Sequence, residues 1–217
     1  NDPAQLTRLC DALTDLCTRM TQGAPRFLVV AESEAIQQGV TQLEKLWQGK
    51  AAQQVPPLAL PAVRQQVRQA WLTNSQVSFC AKAYPTVAAD HPDAPVLSVL
   101  GGFLRNGFLH RAIRETGGAY GGGASQDSNV GAFRFYSYRD PRLTGTLQDF
   151  DQAIEWLLSE AHEYQALEES ILGVIGSLDK PGSPAGEAKQ AFQNRMFDRD
   201  DEFQSRFRAR VLGTTVA

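Results

Sequence analysis

Leu6, Leu9, Cys10, Leu13, Leu16, Cys17 and Met20 recur at steps of three and four, the spacing of one apolar helix face. Asp2 before Pro3 opens this helix, and Gly23 with Pro25 closes it. Cys10 and Cys17 fall on the stripe and read as core thiols. Residues 26–31 predict a short buried strand, and Ser33 caps a second helix carrying Ile36, Val40, Leu43 and Trp47. Three prolines make 51–61 an irregular link, and Val63, Val67 and Trp71 mark a short helix after it. Between 76 and 84, Val77, Phe79, Ala81 and Ala83 alternate with more polar neighbours, the pattern of a half-buried strand.

Leu97, Leu100, Leu104 and Phe108 then form a helical stripe, widened by Leu109 and Ile113. Gly101 and Gly102 inside it each cost about 1 kcal/mol against alanine, so a neighbour is expected to pack very close there. Gly117 and Gly118 end the helix, and two extended segments flank a turn at 126–129. The second of them puts Phe133 and Phe135 on one face, Tyr136 and Tyr138 on the other. Leu147, Phe150, Ile154, Leu157 and Leu158 predict a helix capped by Thr144 or Thr146, and Leu167, Ile171, Val174, Ile175 and Leu178 another. A charged helix closes the chain, its arginines interleaved with acids as on a solvated, ion-paired face. The order predicts an α+β domain over residues 1–217: a mainly antiparallel sheet with helices on one face.

Composition narrows the function. With 21 basic against 24 acidic residues there is no electrostatic case for nucleic acid, and the longest aliphatic run, 27–31, is far from the roughly 20 residues of a membrane span. Three cysteines fit a reducing compartment better than a disulfide framework. The amino end lacks the basic region of a signal peptide and begins at Asn1 rather than Met, so a piece of a longer protein is expected.

Chemistry-bearing motifs are few. Neither His91, His110 nor His162 has a second histidine one helical turn away, no C-x-x-C occurs, and no metal site is expected in this chain. Gly-x-Ser-x-Gly is missing as well. Gly117 to Gly123 leave a helix for a strand, the reverse of the order that aims a helix N-terminus at phosphate. Two readings of these glycines stand. A strand without side chains at a sheet edge exposes its backbone to an incoming extended peptide, with Arg114 and Tyr120 as flanking donors. Alternatively the stretch is a tight helix-to-strand connection, with Tyr120 in the core and Arg114 paired to Glu115 or Asp127.

Residues 102–124 and 133–141 closely resemble the carboxy-terminal region of presequence proteases, in the insulinase/pitrilysin group of zinc metallopeptidases; the strongest likeness covers about 97–158. The resemblance implies a four-domain peptidase closing around a peptide chamber, with zinc held through H-x-x-E-H in the first domain. The last domain is a degenerate copy without metal. It contributes an arginine and a tyrosine to substrate, which match Arg114 and Tyr120. In this reading Tyr120 contacts the oxyanion, and Arg114, Tyr120, Gly121, Gly122 and Gly123 bind the substrate. The partners implied are the amino-terminal catalytic domains and an unstructured peptide. A non-catalytic homologue, acting as a structural subunit or a peptide-binding module, is the alternative. The Gln- and Ala-rich texture points to a bacterial cytoplasm, with the mitochondrial matrix or chloroplast as the organellar alternative.

Overall fold

The computed structural model describes residues 2–48, 65–159 and 161–215; the expected link at 51–61 and Val63 lie outside them. Contacts group the chain into two compact units, one of residues 1–63 and 182–193, the other of 64–181 and 194–217.

The first unit contains α1 (Pro3–Gln22) and α2 (Ser33–Trp47). The Asp2 carboxylate accepts from the Ala4 N–H at 3.0 Å, satisfying one orphan donor of the first turn. The apolar stripe of α1 does not enter a core. The helix has no buried residue, Met20 is 75% exposed, and Cys10 and Cys17 face solvent rather than serving as core thiols. Residues 26–31 are not a strand either, for they find no ladder partner among the described residues. Phe27 instead packs on Trp47, ring centroids 5.4 Å apart. Ser33 is the first helical residue of α2, one place after the position expected of a cap.

The second unit carries the sheet. Its elements are β1 (Ala81–Pro85), α3 (Ala94–Leu104) continued by a π-helical segment (Arg105–Thr116), β2 (Gly121–Asp127), β3 (Ala132–Tyr138), α4 (Thr144–Ser159) and α5 (Tyr164–Leu178). A further helix, α6 (Pro184–Met196), starts in the first unit, and α7 (Asp201–Leu212) belongs to the second. No helix follows at 65–71, where Val67 and Trp71 are exposed.

Among the described residues the sheet has three antiparallel strands in the order β1-β3-β2, with β2 at an edge. Register sets two unlike faces. Phe133 and Phe135 point to the core, opposite Tyr84 and Lys82 of β1 and Gln126 and Ala124 of β2. Tyr136 and Arg134 pair with Ala81 and Ala83 on the other, open face, which Tyr138 extends. The expected alternation before β1 is therefore inverted: Cys80 is buried, whereas Phe79 is 61% exposed and stacks edge-on against Tyr138 at 5.3 Å. Apolar side chains stand on both faces, so alternation alone misassigned the inner one.

The helical stripe packs on the core face as expected, with one change of period. Leu104, Leu109 and Ile113 are buried at steps of five and four, because the turns after Leu104 close i→i+5. They meet Phe133, Phe135 and Phe150 in one cluster; Val99, Phe103, Leu167, Ile171 and Val211 form a second. In α4, Phe150 and Ala153 face inward, while Leu158 ends 80% exposed near the helix terminus. The arginines of α7 behave as a solvated face, Arg206 pairing with Glu202 and Arg208 with Asp179.

The junction between β3 and α4 is tied by Asp140. Fully buried, its carboxylate accepts from the Thr146 hydroxyl at 2.7 Å and from the Arg142 N–H at 2.9 Å. Thr146 thus braces the helix start from inside, and Thr144 opens the helix. Asp140→Ala should leave both donors without a partner in a dry site and lower stability by about 2–3 kcal/mol. Chemical unfolding of the chain measures it; a loss below about 0.5 kcal/mol would mean water replaces the carboxylate.

Candidate functional site

The region from Arg114 to Gly123 is shaped by close packing. A Cβ placed on Gly101 would sit 3.0 Å from the Ala124 carbonyl oxygen and 3.0 Å from Ser125 Cα, so α3 lies directly on the backbone of β2. Gly102, by contrast, faces Ser170 of α5 at 3.7 Å, an ordinary contact. Near the helix end, a Cβ on Gly117 would fall 1.9 Å from Arg142 Nη2 and 2.5 Å from the Ile113 carbonyl oxygen. Arg142 fills that space. Its guanidinium donates to the Ala112 carbonyl at 3.2 Å and to Asp149 at 2.8 Å, joining the π-helical segment to α4. The chain then reverses. Gly118 takes φ +79°, Gly118 N–H donates to the Arg114 carbonyl, and Ala119 N–H to that of Ile113. Tyr120 N–H donates to the Arg139 carbonyl at 3.3 Å, which starts the hairpin ladder.

Tyr120 is thereby placed on the open face, 67% exposed, its ring edge-on to Tyr138 at 5.8 Å. Arg114 is exposed too, and makes no side-chain hydrogen bond or ion pair among the described residues. The acids expected to pair with it are taken: Glu115 lies 3.3 Å from His110, and Asp127 3.2 Å from Arg134. The purely structural account, with Tyr120 in the core and Arg114 neutralised, does not describe this arrangement.

The three glycines that follow differ in what surrounds them. A side chain on Gly122 would strike Ile113 at 2.8 Å and the Tyr136 carbonyl at 3.0 Å; one on Gly123 would press on Arg105 at 3.0 Å and the Tyr136 hydroxyl at 3.3 Å. Packing explains both. At Gly121 a Cβ would meet nothing within 4 Å among the described residues and φ is not positive, so their packing makes no demand for glycine there. Tyr136 and Tyr138, opposite Gly123 and Gly121 in the ladder, went unnoticed as site neighbours, although the alternation of β3 already put them on the open face.

Residues 70–217 match the family described as the PreP C-terminal domain. The chain belongs to this family. It is 41% identical over 142 residues to the mitochondrial presequence protease of Kluyveromyces lactis, covering 65% of this chain and 14% of that protein. The Drosophila melanogaster mitochondrial presequence protease is 41% identical over 150 residues, 68% of this chain and 14% of that one. The chain thus spans about a seventh of the length of these relatives. A peptidase M16 inactive domain from Pseudomonas fluorescens shares the fold with a TM-score of 0.57 at 18% identity, covering 85% of this chain and 45% of that one.

Zinc, which the resemblance to the insulinase/pitrilysin group implies, asks for three or four convergent side-chain ligands. Among the described residues no three His, Cys, Asp or Glu side chains converge. His91 lies beside Asp93 and His110 beside Glu115, while His162 shares a hydrogen bond with the Leu157 carbonyl and stacks on Trp156 at 4.4 Å. No helix among the described residues is long and apolar enough to cross a membrane.

The contrast between neighbouring glycines is measurable. Gly122→Val should lower the melting temperature, overpacking costing about 1–3 kcal/mol. Gly121→Val should leave it unchanged or slightly higher, since a β-branched residue suits an open strand position. Equal losses at both positions would show that Gly121 is structural after all.

Proposed function

We propose that this chain is the metal-free, carboxy-terminal, substrate-binding part of a longer, four-domain zinc metalloendopeptidase that degrades unstructured peptides. The carrying observation is Tyr120 and Arg114, both exposed and without side-chain hydrogen-bond partners among the described residues, at the start of an edge strand whose Gly121 the fold does not require.

An edge strand offers unpaired N–H and C=O groups to an extended chain, and the missing side chain at Gly121 lets that chain approach closely. Arg114 presents a planar fork of donors to a substrate carbonyl, fixing the peptide's register. Amide hydrolysis passes through a tetrahedral oxyanion, and the Tyr120 hydroxyl is the donor this chain offers to that charge. In this reading the zinc and the hydrolytic centre belong to another part of the full-length protein; the three histidines here each have a different neighbour, Asp93, Glu115 and the Leu157 carbonyl. The partners are therefore the amino-terminal domains of the same polypeptide and the peptide itself. The mitochondrial designation of the relatives supports an organellar setting over a bacterial cytoplasm.

In the full-length protein, Tyr120→Phe keeps the ring and removes the hydroxyl. The expected loss falls on kcat, roughly 10²–10³-fold, the size seen for other single oxyanion donors. Arg114→Lys keeps the charge but not the fork, and should raise KM as well. Steady-state kinetics beside melting curves and metal content tests both. A normal kcat in Tyr120→Phe, with unchanged stability, would remove the tyrosine from the chemistry.

A further inference from the structure

Arg139 occupies a conformation that its residue type disfavours. Its φ is +51°, in the left-handed region where a residue with a Cβ costs roughly 1–2 kcal/mol and Gly or Asn is cheaper. The backbone reason is plain: the turn lets the Arg139 carbonyl accept from Tyr120 while the next residue, Asp140, drops into the core to brace α4. None of this uses the side chain. The Arg139 guanidinium is exposed and has no hydrogen bond, ion pair or ring contact among the described residues.

The elements that meet at this corner carry further arginines. Arg111 and Arg114, on the π-helical segment that runs into this corner, likewise have no side-chain partner among the described residues. On the π-helical segment and the hairpin each acid is engaged, Glu115 with His110, Asp127 with Arg134 and Asp140 with Thr146; on α4, Asp149 pairs with Arg142 and Asp151 with Lys82, while Glu155 is exposed. Uncompensated arginines beside an exposed tyrosine and an open strand edge suit a ligand that brings its own negative charge.

Resting on the peptide-binding reading above, we propose that Arg139 is a further substrate-contacting residue, which binds a carboxylate of the peptide laid along β2. That carboxylate comes either from the peptide's C-terminus or from an Asp or Glu side chain. A guanidinium suits both, because its parallel N–H groups match two carboxylate oxygens.

The test uses the full-length protein and a set of matched peptides: free acid, C-terminal amide, and internal Glu replaced by Gln. Arg139→Asn removes the charge while tolerating the left-handed backbone, so the melting temperature should hold. KM for carboxylate-bearing peptides should rise about tenfold with kcat little changed, and Arg139→Lys should recover part of the loss. Neutral counterparts should lose little. If the C-terminal amide alone becomes insensitive to the substitution, the terminal carboxylate is the ligand; if the Gln peptide does, the side chain is. An unchanged KM in Arg139→Asn, or an equal rise for charged and neutral peptides, overturns the proposal. Tyr120→Phe and Arg114→Lys run in parallel. If they impair turnover while Arg139→Asn is silent, only this proposal fails; if all three are silent, the peptide-binding reading fails with it.

Discussion

The contact on which the second unit depends is the direct seating of one helix on one strand's backbone. At Gly101 the helix touches Ala124 and Ser125 with no side chain between, and at Gly122 the strand returns the favour by making room for Ile113. Each glycine costs about 1 kcal/mol in its own element relative to alanine, and the return is a separation that any larger residue would prevent. Because α3 presses on β2 from the core face, β2 is held by packing and needs no strand on its outer side. An edge strand already packed in place suits the proposed peptide-binding surface, since the incoming chain would not have to order it.

The same packing accounts for the corner that precedes the strand. Widening the turns after Leu104 keeps Leu109 and Ile113 aimed at the sheet while the helix runs past it, and leaves the Ala112 carbonyl open to Arg142. Arg142 then occupies the space beside Gly117 and ties the helix end to α4 through Asp149. Arg114 and Tyr120 lie on either side of this braced corner, one on the helix and one on the strand. They are six positions apart in sequence, and backbone hydrogen bonds from Gly118, Ala119 and Tyr120 tie down the turn between them. That matters for binding, where a loose donor forfeits in ordering entropy much of what it gains in contact.

Much of this was legible in the sequence, because local pattern and tertiary packing agree in the second unit. The stripe from Leu97 to Ile113, the closeness expected at Gly101, the hairpin and the two faces of β3 all appear as read. The readings that failed did so for identifiable reasons. Period cannot tell an inward apolar face from an outward one, so Leu6 to Met20 and the Phe79 alternation were both assigned to a core they do not enter. A strand over 26–31 requires a ladder partner, which no propensity supplies. Arg139 was invisible, for nothing in Tyr-Arg-Asp-Pro announces a left-handed arginine; that follows only once Asp140 is seen to turn inward.

What sets the proposed site apart is surplus over structural need. Asp140, Arg142, Gly117 and Gly122 are each accounted for by a bond or a contact they make inside the unit. Arg114, Gly121, Arg139 and the Tyr120 hydroxyl are not: although the Tyr120 ring meets Tyr138 edge-on, none of these groups makes a bond that the unit uses. Exposed arginines in general need no such explanation, because most surface charges are simply solvated. Here the four lie along a single stretch of hairpin and helix end, one carries backbone strain, and one is a glycine where a side chain would fit. Selection for stability alone favours a β-branched residue at 121 and Gly or Asn at 139. Their departure in opposite directions, toward less bulk at the strand and more reach at its base, is what an extended ligand lying against β2 would impose.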